Sequence, residues 1–341
     1  MKSSKAPWII AVLMGMYVYG LTYYARHRVP PGPAYEFYDT TQVKVFVEGE
    51  QHEPLLFGRY NNILEGQRKM VQAVSSEGSY HLLKFEVNSP RPATLFVNDE
   101  ALEIILMPGD TTLKLHLWLN PESELIDSVV FLGKGKGACA YLQDKADRFE
   151  QTHIRANRHT VASGDFEIYA NKLDSLAARE LAFLAEQEVF ATLPDWFVGF
   201  EKNEILYQKA YLKLSAAFNR EVDESLLDEV KLDNSKAVFS YYYYLYLTTY
   251  LKKQIQKAGT LTAQQIHPGG EAYLRAQLNL ADEILSGEPK DVFLTRAIFQ
   301  QIQQGNLTIA TELMKKYDSA FSRQKYSRFL KSQLEQNVGP V

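Results

Sequence analysis

Across residues 35–137 the apolar side chains fall close to every second position. Val43, Val45 and Val47 alternate with Lys44 and Phe46, and Leu113, Leu115 and Leu117 alternate with Lys114 and His116. Further runs cover 54–58, 69–74, 79–87, 93–97, 101–107 and 127–132, with Glu77-Gly78, Asn98-Asp99 and Pro108-Gly109-Asp110 as turn signals between them. Alternation puts one set of side chains on each face of a strand, so the pattern predicts seven or eight short strands and an antiparallel β-sandwich over 35–137. From Ala138 the period changes to three and four. Leu173, Ala177, Leu181 and Leu184 form one stripe; Tyr207, Tyr211, Leu214 and Phe218 a second; Leu274, Leu278, Ala281 and Leu285 a third. Each spacing lines one face of a helix.

Helix boundaries are marked by Ser163-Gly164-Asp165 before a helix over 166–191, and by Leu193-Pro194-Asp195 after it. Gly287 stops a helix, Pro289 suits the first turn of the next, and Gly305-Asn306 is another stop. Short helices at about 271–286, 289–304, 306–318 and 322–336 have tight connections, which favour helical hairpins over 138–341. The predicted class is α+β: an N-terminal transmembrane helix, an antiparallel β-sandwich, then an all-α domain of helical hairpins.

A third pattern precedes both. Residues 7–25 hold nineteen positions without Asp, Glu, Lys, Arg or His. As a helix this segment would be roughly 28 Å long, close to the hydrocarbon thickness of a bilayer. Trp8 at one end and Tyr19, Tyr23 and Tyr24 toward the other suit the two interfaces. Ala11 and Gly15 form a small-xxx-small pair that would let a partner helix approach. A membrane anchor over 1–28 and a stiff Pro-rich linker over 29–34 are therefore expected. A cleaved signal peptide is the alternative, with Lys2 and Lys5 as its basic start and Val18-Tyr19-Gly20 as its cleavage pattern. The apolar run continues past Gly20 to Tyr24, which favours the anchor.

Composition narrows the picture. The 341 residues are 46% hydrophobic and 23% charged, ordinary for globular protein with room for two cores. The net charge of −4 is unevenly spread, with the acidic excess after residue 34. An acidic body repels phosphate backbones, so its charge argues against nucleic acid as a partner. A single cysteine, Cys139, gives no internal disulfide, Cys-x-x-Cys pair or cysteine zinc site.

Candidate chemistry is sparse. Gly133-Lys134-Gly135-Lys136-Gly137 resembles a phosphate loop, but no Ser or Thr follows the lysine as a Walker pattern requires, and it reads as a glycine-rich turn. Cys139 near a helix start would need a base to act as a nucleophile; a packed small residue is the simpler reading. His153 and His159 stand six apart, off a shared helical face, and His116 shares the outer face of its strand with Lys114 and Trp118. No catalytic residue, metal ligand or cofactor follows. Tyr241, Tyr242, Tyr243, Tyr244 and Tyr246 ring one helix with aromatic side chains. Part must be core, and the excess is a possible interface, since tyrosine supplies large contact area at low entropic cost.

The segments EALEIILMPGDTTLKLHL and VVFLGKGKGACAYLQD, within residues 100–144, resemble the N-terminal region of TlpA-type thioredoxin-like proteins of Bacteroidetes. FVGFEKNEILYQKAYLKLSAAF and VFLTRAIFQQIQQGNLTIATELMKKY resemble the same family's helical part, so the likeness spans roughly 40–335. The resemblance implies a sandwich followed by helices, export, and a following thioredoxin domain with a Cys-x-x-Cys pair. That pair has no counterpart here, so no family activity or site residue carries over. The expectation is a non-catalytic, single-pass subunit of the inner membrane with a periplasmic body. It would touch lipid through 7–25 and serve integral-membrane or periplasmic protein partners as a binding or assembly module. The alternative is an accessory that presents substrates to a separate thioredoxin-like reductase.

Overall fold

A computed structural model describes residues 39–338, apart from 49–54, 62–63, 65–67, 77–79, 88, 110–111, 150–165, 191–192, 219–229, 260, 263 and 268–269. The expected anchor, with Trp8, Ala11, Gly15, Tyr19, Tyr23 and Tyr24, and the linker lie outside the described residues, as do His153 and His159. No described helix is long and apolar enough to cross a membrane.

The class is α+β, with two small sheets and eight helices among the described residues. The strands are β1 (Asp39–Glu48), β2 (Leu56–Asn61), β3 (Arg68–Gln72), β4 (Val74–Ser76), β5 (Tyr80–Val87), β6 (Arg91–Val97), β7 (Glu100–Leu106), β8 (Thr112–Leu119) and β9 (Ile126–Gly133). One sheet has the order β4-β5-β1-β8-β9 and the other β3-β2-β6-β7. Their facing sides share one core, in which Val43, Val45, Leu83, Phe85 and Leu115 of the first meet Leu95, Val97 and Ile104 of the second. Gly58 of β2 makes that approach possible, since a Cβ there would stand 2.3 Å from the Phe85 ring.

Two features differ from the expected antiparallel arrangement. β1 and β8 run parallel, with Val43 opposite Leu113 and Phe46 opposite His116. These strands are joined through the whole of the other sheet rather than by a hairpin, so nothing forces them to run in opposite directions. The single run expected over 69–74 is split at Ala73, where the chain leaves one sheet for the other.

The helices are α1 (Lys136–Phe149), α2 (Phe166–Phe190), α3 (Asp195–Ala216), α4 (Tyr241–Ala258), α5 (Glu271–Ile284), α6 (Gly287–Gln303), α7 (Leu307–Tyr317) and α8 (Gln324–Val338). The boundary read at residue 137 falls inside a continuous packing region. Ala138, Cys139, Tyr141 and Phe149 of α1 join the sheet core, together with Phe183 of α2 and Phe197 of α3. Tyr141 packs against Phe183 and Phe197 at centroid distances of 5.4 and 5.3 Å. The glycine-rich turn before α1 has a conformational cause: Gly133 and Gly135 have φ of +95° and +90°, a region side chains rarely adopt. Its Lys134 and Lys136 point to solvent.

Beyond α3 each helix packs on its successor: α4 on α3 and α5, α5 on α6, and α6 on α7 and α8. The third stripe behaves as its spacing requires, with Leu278, Ala281 and Leu285 buried. Asp291, fully buried on α6, fixes the start of α8. Its carboxylate accepts from Ser322 N (2.8 Å), Ser322 Oγ (2.7 Å) and Arg323 N (2.9 Å).

Candidate functional site

The tyrosine run enters the structure as α4. Ser240 caps it, its hydroxyl accepting from Tyr243 N at 3.1 Å. Helical spacing then turns Tyr242, Tyr243 and Tyr246 inward, where they are 4%, 3% and 1% exposed. Tyr243 packs edge-on against Tyr207 of α3 at 4.9 Å, and Tyr207 meets Tyr246 at 6.0 Å. Both hydroxyls find partners in the loop before α4: Tyr243 donates to Leu232 O and Tyr207 to Lys231 O, each at 2.6 Å. Burial pushes the Tyr243 phenol far above its usual range. Tyr244 stacks on Phe293 at 5.6 Å and carries the Arg296 guanidinium 3.4 Å from its ring centre. Most of the run is thus committed inside the chain, and Tyr241, half-buried, is left at the rim.

Tyr241 and Tyr242 border a cleft of about 200 Å³ between the first turn of α4 and the outer face of the four-stranded sheet. The sheet side is a row set by register: Arg59 of β2 lies opposite Thr94 of β6, which lies opposite Glu103 of β7. Thr94 Oγ1 donates to Glu103 Oε1 at 3.1 Å, and the Arg59 guanidinium sits 4.8 Å from the Phe96 ring centre. The far wall is Glu204 of α3, a buried carboxylate. One guanidinium, two carboxylates and three tyrosines, Tyr60 with Tyr241 and Tyr242, line this open space, an arrangement suited to seating a cationic or planar polar group.

Other charge clusters are enclosed. Lys145 of α1 lies 2.6 Å from both Glu180 of α2 and Glu201 of α3, all three side chains being 6% exposed or less. Burial opposes the ammonium charge, but the carboxylates of Glu201 and Glu180 outweigh it and hold the Lys145 pKa above its ordinary value. The neighbouring Tyr141 phenol is pushed far up, by burial first and then by the same two carboxylates. Asp174 of α2 receives Lys209 at 3.0 Å and Lys213 at 2.9 Å from α3. Burial would raise its pKa, and the two lysines reverse the sign. With Glu180 near Glu201 and Asp174 near Lys213, α2 and α3 run in opposite directions.

The remaining sequence candidates are accounted for separately. Cys139 is fully buried, with Ile105 N donating to its Sγ at 3.3 Å, and burial pushes its thiol up to about 12. His116 lies on the outer face of β8 beside Phe46 and Trp118. Among the described residues, no three of His, Cys, Asp or Glu are grouped to hold a metal ion. Arg59, Glu103 and Glu204 were not singled out in the sequence. Alternation places Arg59 and Glu103 outward on their strands, but no local signal tells that α4 stands over them. No family model matches the chain, and no curated protein matches it.

Proposed function

We propose that this chain is a membrane-anchored binding or assembly subunit whose cleft receives a basic side chain of a partner protein. Residues 7–25 would cross the membrane once, leaving the sandwich and helices as a periplasmic body beside integral-membrane or periplasmic partners. The observation that carries this reading is the cleft itself, where Arg59 and Glu103 of the sheet and Glu204, Tyr241 and Tyr242 of the helices line one open space. The Glu103 carboxylate gives the space an acceptor suited to a cation, and the phenol rings offer a π-face to it. Cys139 has no part in it, because a buried thiol held protonated is neither a nucleophile nor a redox partner.

The test is recovery of partners with the full chain from its own membrane in mild detergent. Wild-type chain should bring down a protein whose capture falls roughly tenfold with Glu103→Gln or Tyr241→Ala, as expected for loss of a hydrogen-bonded charge or an aromatic anchor. Recovery of the chain alone would overturn the assembly role. Undiminished capture by both variants would overturn the cleft as its seat.

A further inference from the structure

The outer face of the five-stranded sheet carries side chains that neither the cleft nor the core uses. Pairing register sets Phe46 of β1 opposite Tyr80 of β5 on one side and His116 of β8 on the other, with Val130 of β9 beyond His116. Rings in this row touch, Phe46 to Tyr80 at 5.7 Å and Phe46 to His116 at 5.1 Å, and His116 meets Trp118 of the same strand at 6.3 Å. One row along, Lys44 of β1 lies directly opposite Lys114 of β8, with Leu82 and Leu132 as their outer neighbours. Lys84 of β5 lies diagonally from Lys44. Val74, Val130 and Leu132 are 67%, 44% and 41% exposed, so the apolar positions on the outer strands flanking the lysines meet solvent.

Like charges placed opposite each other on neighbouring strands repel, so Lys44 and Lys114 weaken the sheet that holds them. Their placement makes physical sense if an anionic surface lies over both. Among the described residues the acids on this face are Glu48, opposite Trp118 at the end of β1, and Glu86, which faces Lys69 at 3.8 Å. A protein interface is a poor match, because lysine is depleted from interface centres, and β1 and β8 are interior strands of this sheet. Phospholipid headgroups match both halves of the chemistry. Phosphates attract the ammonium groups, while tyrosine, tryptophan and aliphatic side chains settle at the boundary between headgroup and acyl chain.

We propose that this face is a lipid-contacting surface, with Lys44, Lys84 and Lys114 on the headgroups of anionic phospholipid and Phe46, Tyr80 and Trp118 reaching the acyl boundary. It rests on the reading that the chain is held at a membrane, and it adds an orientation to that reading. The face then turns on lipid composition: neutral lipid holds the chain without seating the sheet, and anionic lipid seats it.

Full-length chain is mixed with phosphatidylcholine vesicles, with or without phosphatidylglycerol, floated, and acetylated at lysine. Lys315 of α7, exposed on another element, is the internal standard. Phosphatidylglycerol should slow acetylation of Lys44, Lys84 and Lys114 roughly tenfold against Lys315, and high salt should reverse the effect. Exchanging all three for Gln should leave the circular dichroism unchanged and abolish the phosphatidylglycerol-dependent slowing of amide exchange in β1 and β8. Flotation with both kinds of vesicle but equal acetylation overturns the face and leaves the anchor standing. Flotation only with phosphatidylglycerol supports the face and overturns the anchor. Flotation with neither overturns both. Protection that is equal in the neutral lipid also overturns the charge-based seat.

Discussion

Lys145 between Glu180 and Glu201, and Arg59 in a row with Thr94 and Glu103, are built from similar side chains and do different things. The first set is enclosed where α1, α2 and α3 meet, and its charges pair with one another. The second lies on the outer face of a sheet, under the rim of α4, with open volume beside it. A buried ion cluster is held by mutual attraction that must offset a large loss of hydration, and removal of one member leaves the others stranded. Charges in an open cleft keep water as an alternative partner, and a ligand can replace that water. Chemistry and charge are alike; enclosure decides which set is structure and which is available for binding.

The sharpest test of that contrast is Lys145→Met. It leaves two carboxylates buried without their cation and should destabilise the body by about 3–5 kcal/mol, read by urea denaturation. A loss below about 1 kcal/mol would mean that the cluster is wetter than its geometry indicates. Asp291→Ala removes an enclosed acceptor from three donors at the start of α8 and should cost about 2–4 kcal/mol. Hydrogen exchange should show that loss concentrated in α8; uniform loosening of the sheets instead would contradict the capping role.

Enclosure also has a pH signature. Burial raises the Cys139 thiol from 9.0 to about 12, so the folded chain keeps a proton that the unfolded chain releases. Its stability contribution is complete below pH 9.0 and is lost progressively up to about 12, by about 1.4 kcal/mol per pH unit. Lys145, held above its ordinary 10.5, acts with the same sign: its contribution is full below 10.5 and fades as pH rises through the folded value. Cys139→Ala should therefore flatten the fall of stability between pH 9.0 and about 12, measured against wild type in parallel denaturation series. An unchanged slope would show the thiol to be less enclosed than its packing against Ile105.

The smallest stability effect is expected in the cleft. Glu103→Gln keeps an acceptor for Thr94 and alters only a half-exposed charge, so folding should shift by less than about 0.5 kcal/mol while partner capture falls. If stability fell as far as with Lys145→Met, the distinction between enclosed and open charge would collapse.

Much of this was legible along the chain. Alternation set Val43, Val45, Leu113, Leu115 and Leu117 against Lys44, Phe46, Lys114 and His116, and all five aliphatic side chains are buried, because strand period alone sets the face. Stripes at three and four placed Leu173, Ala177 and Leu184 inside, and all three are buried. Other features were beyond local pattern. Lys145, Glu180 and Glu201 each look like surface residues in their own helix, and only the meeting of three helices encloses them. The tyrosine run was ambiguous for a similar reason: a helix ringed with aromatics buries whichever side its neighbours cover, and α3 covered Tyr242, Tyr243 and Tyr246.

The amino-acid sequence by itself determined the change of period near residue 137, the turns at Gly133 and Gly135, and which side chains each strand turns toward the core. These depend on interactions within a few residues, where φ preferences and periodicity act. Tertiary structure alone decided that β1 lies parallel to β8, that Lys44 faces Lys114, that α1 completes the sheet core, and that α4 overhangs Arg59 and Glu103. Each of these joins residues far apart in the chain, and such contacts are chosen by the fit of whole surfaces, which no short stretch of sequence contains.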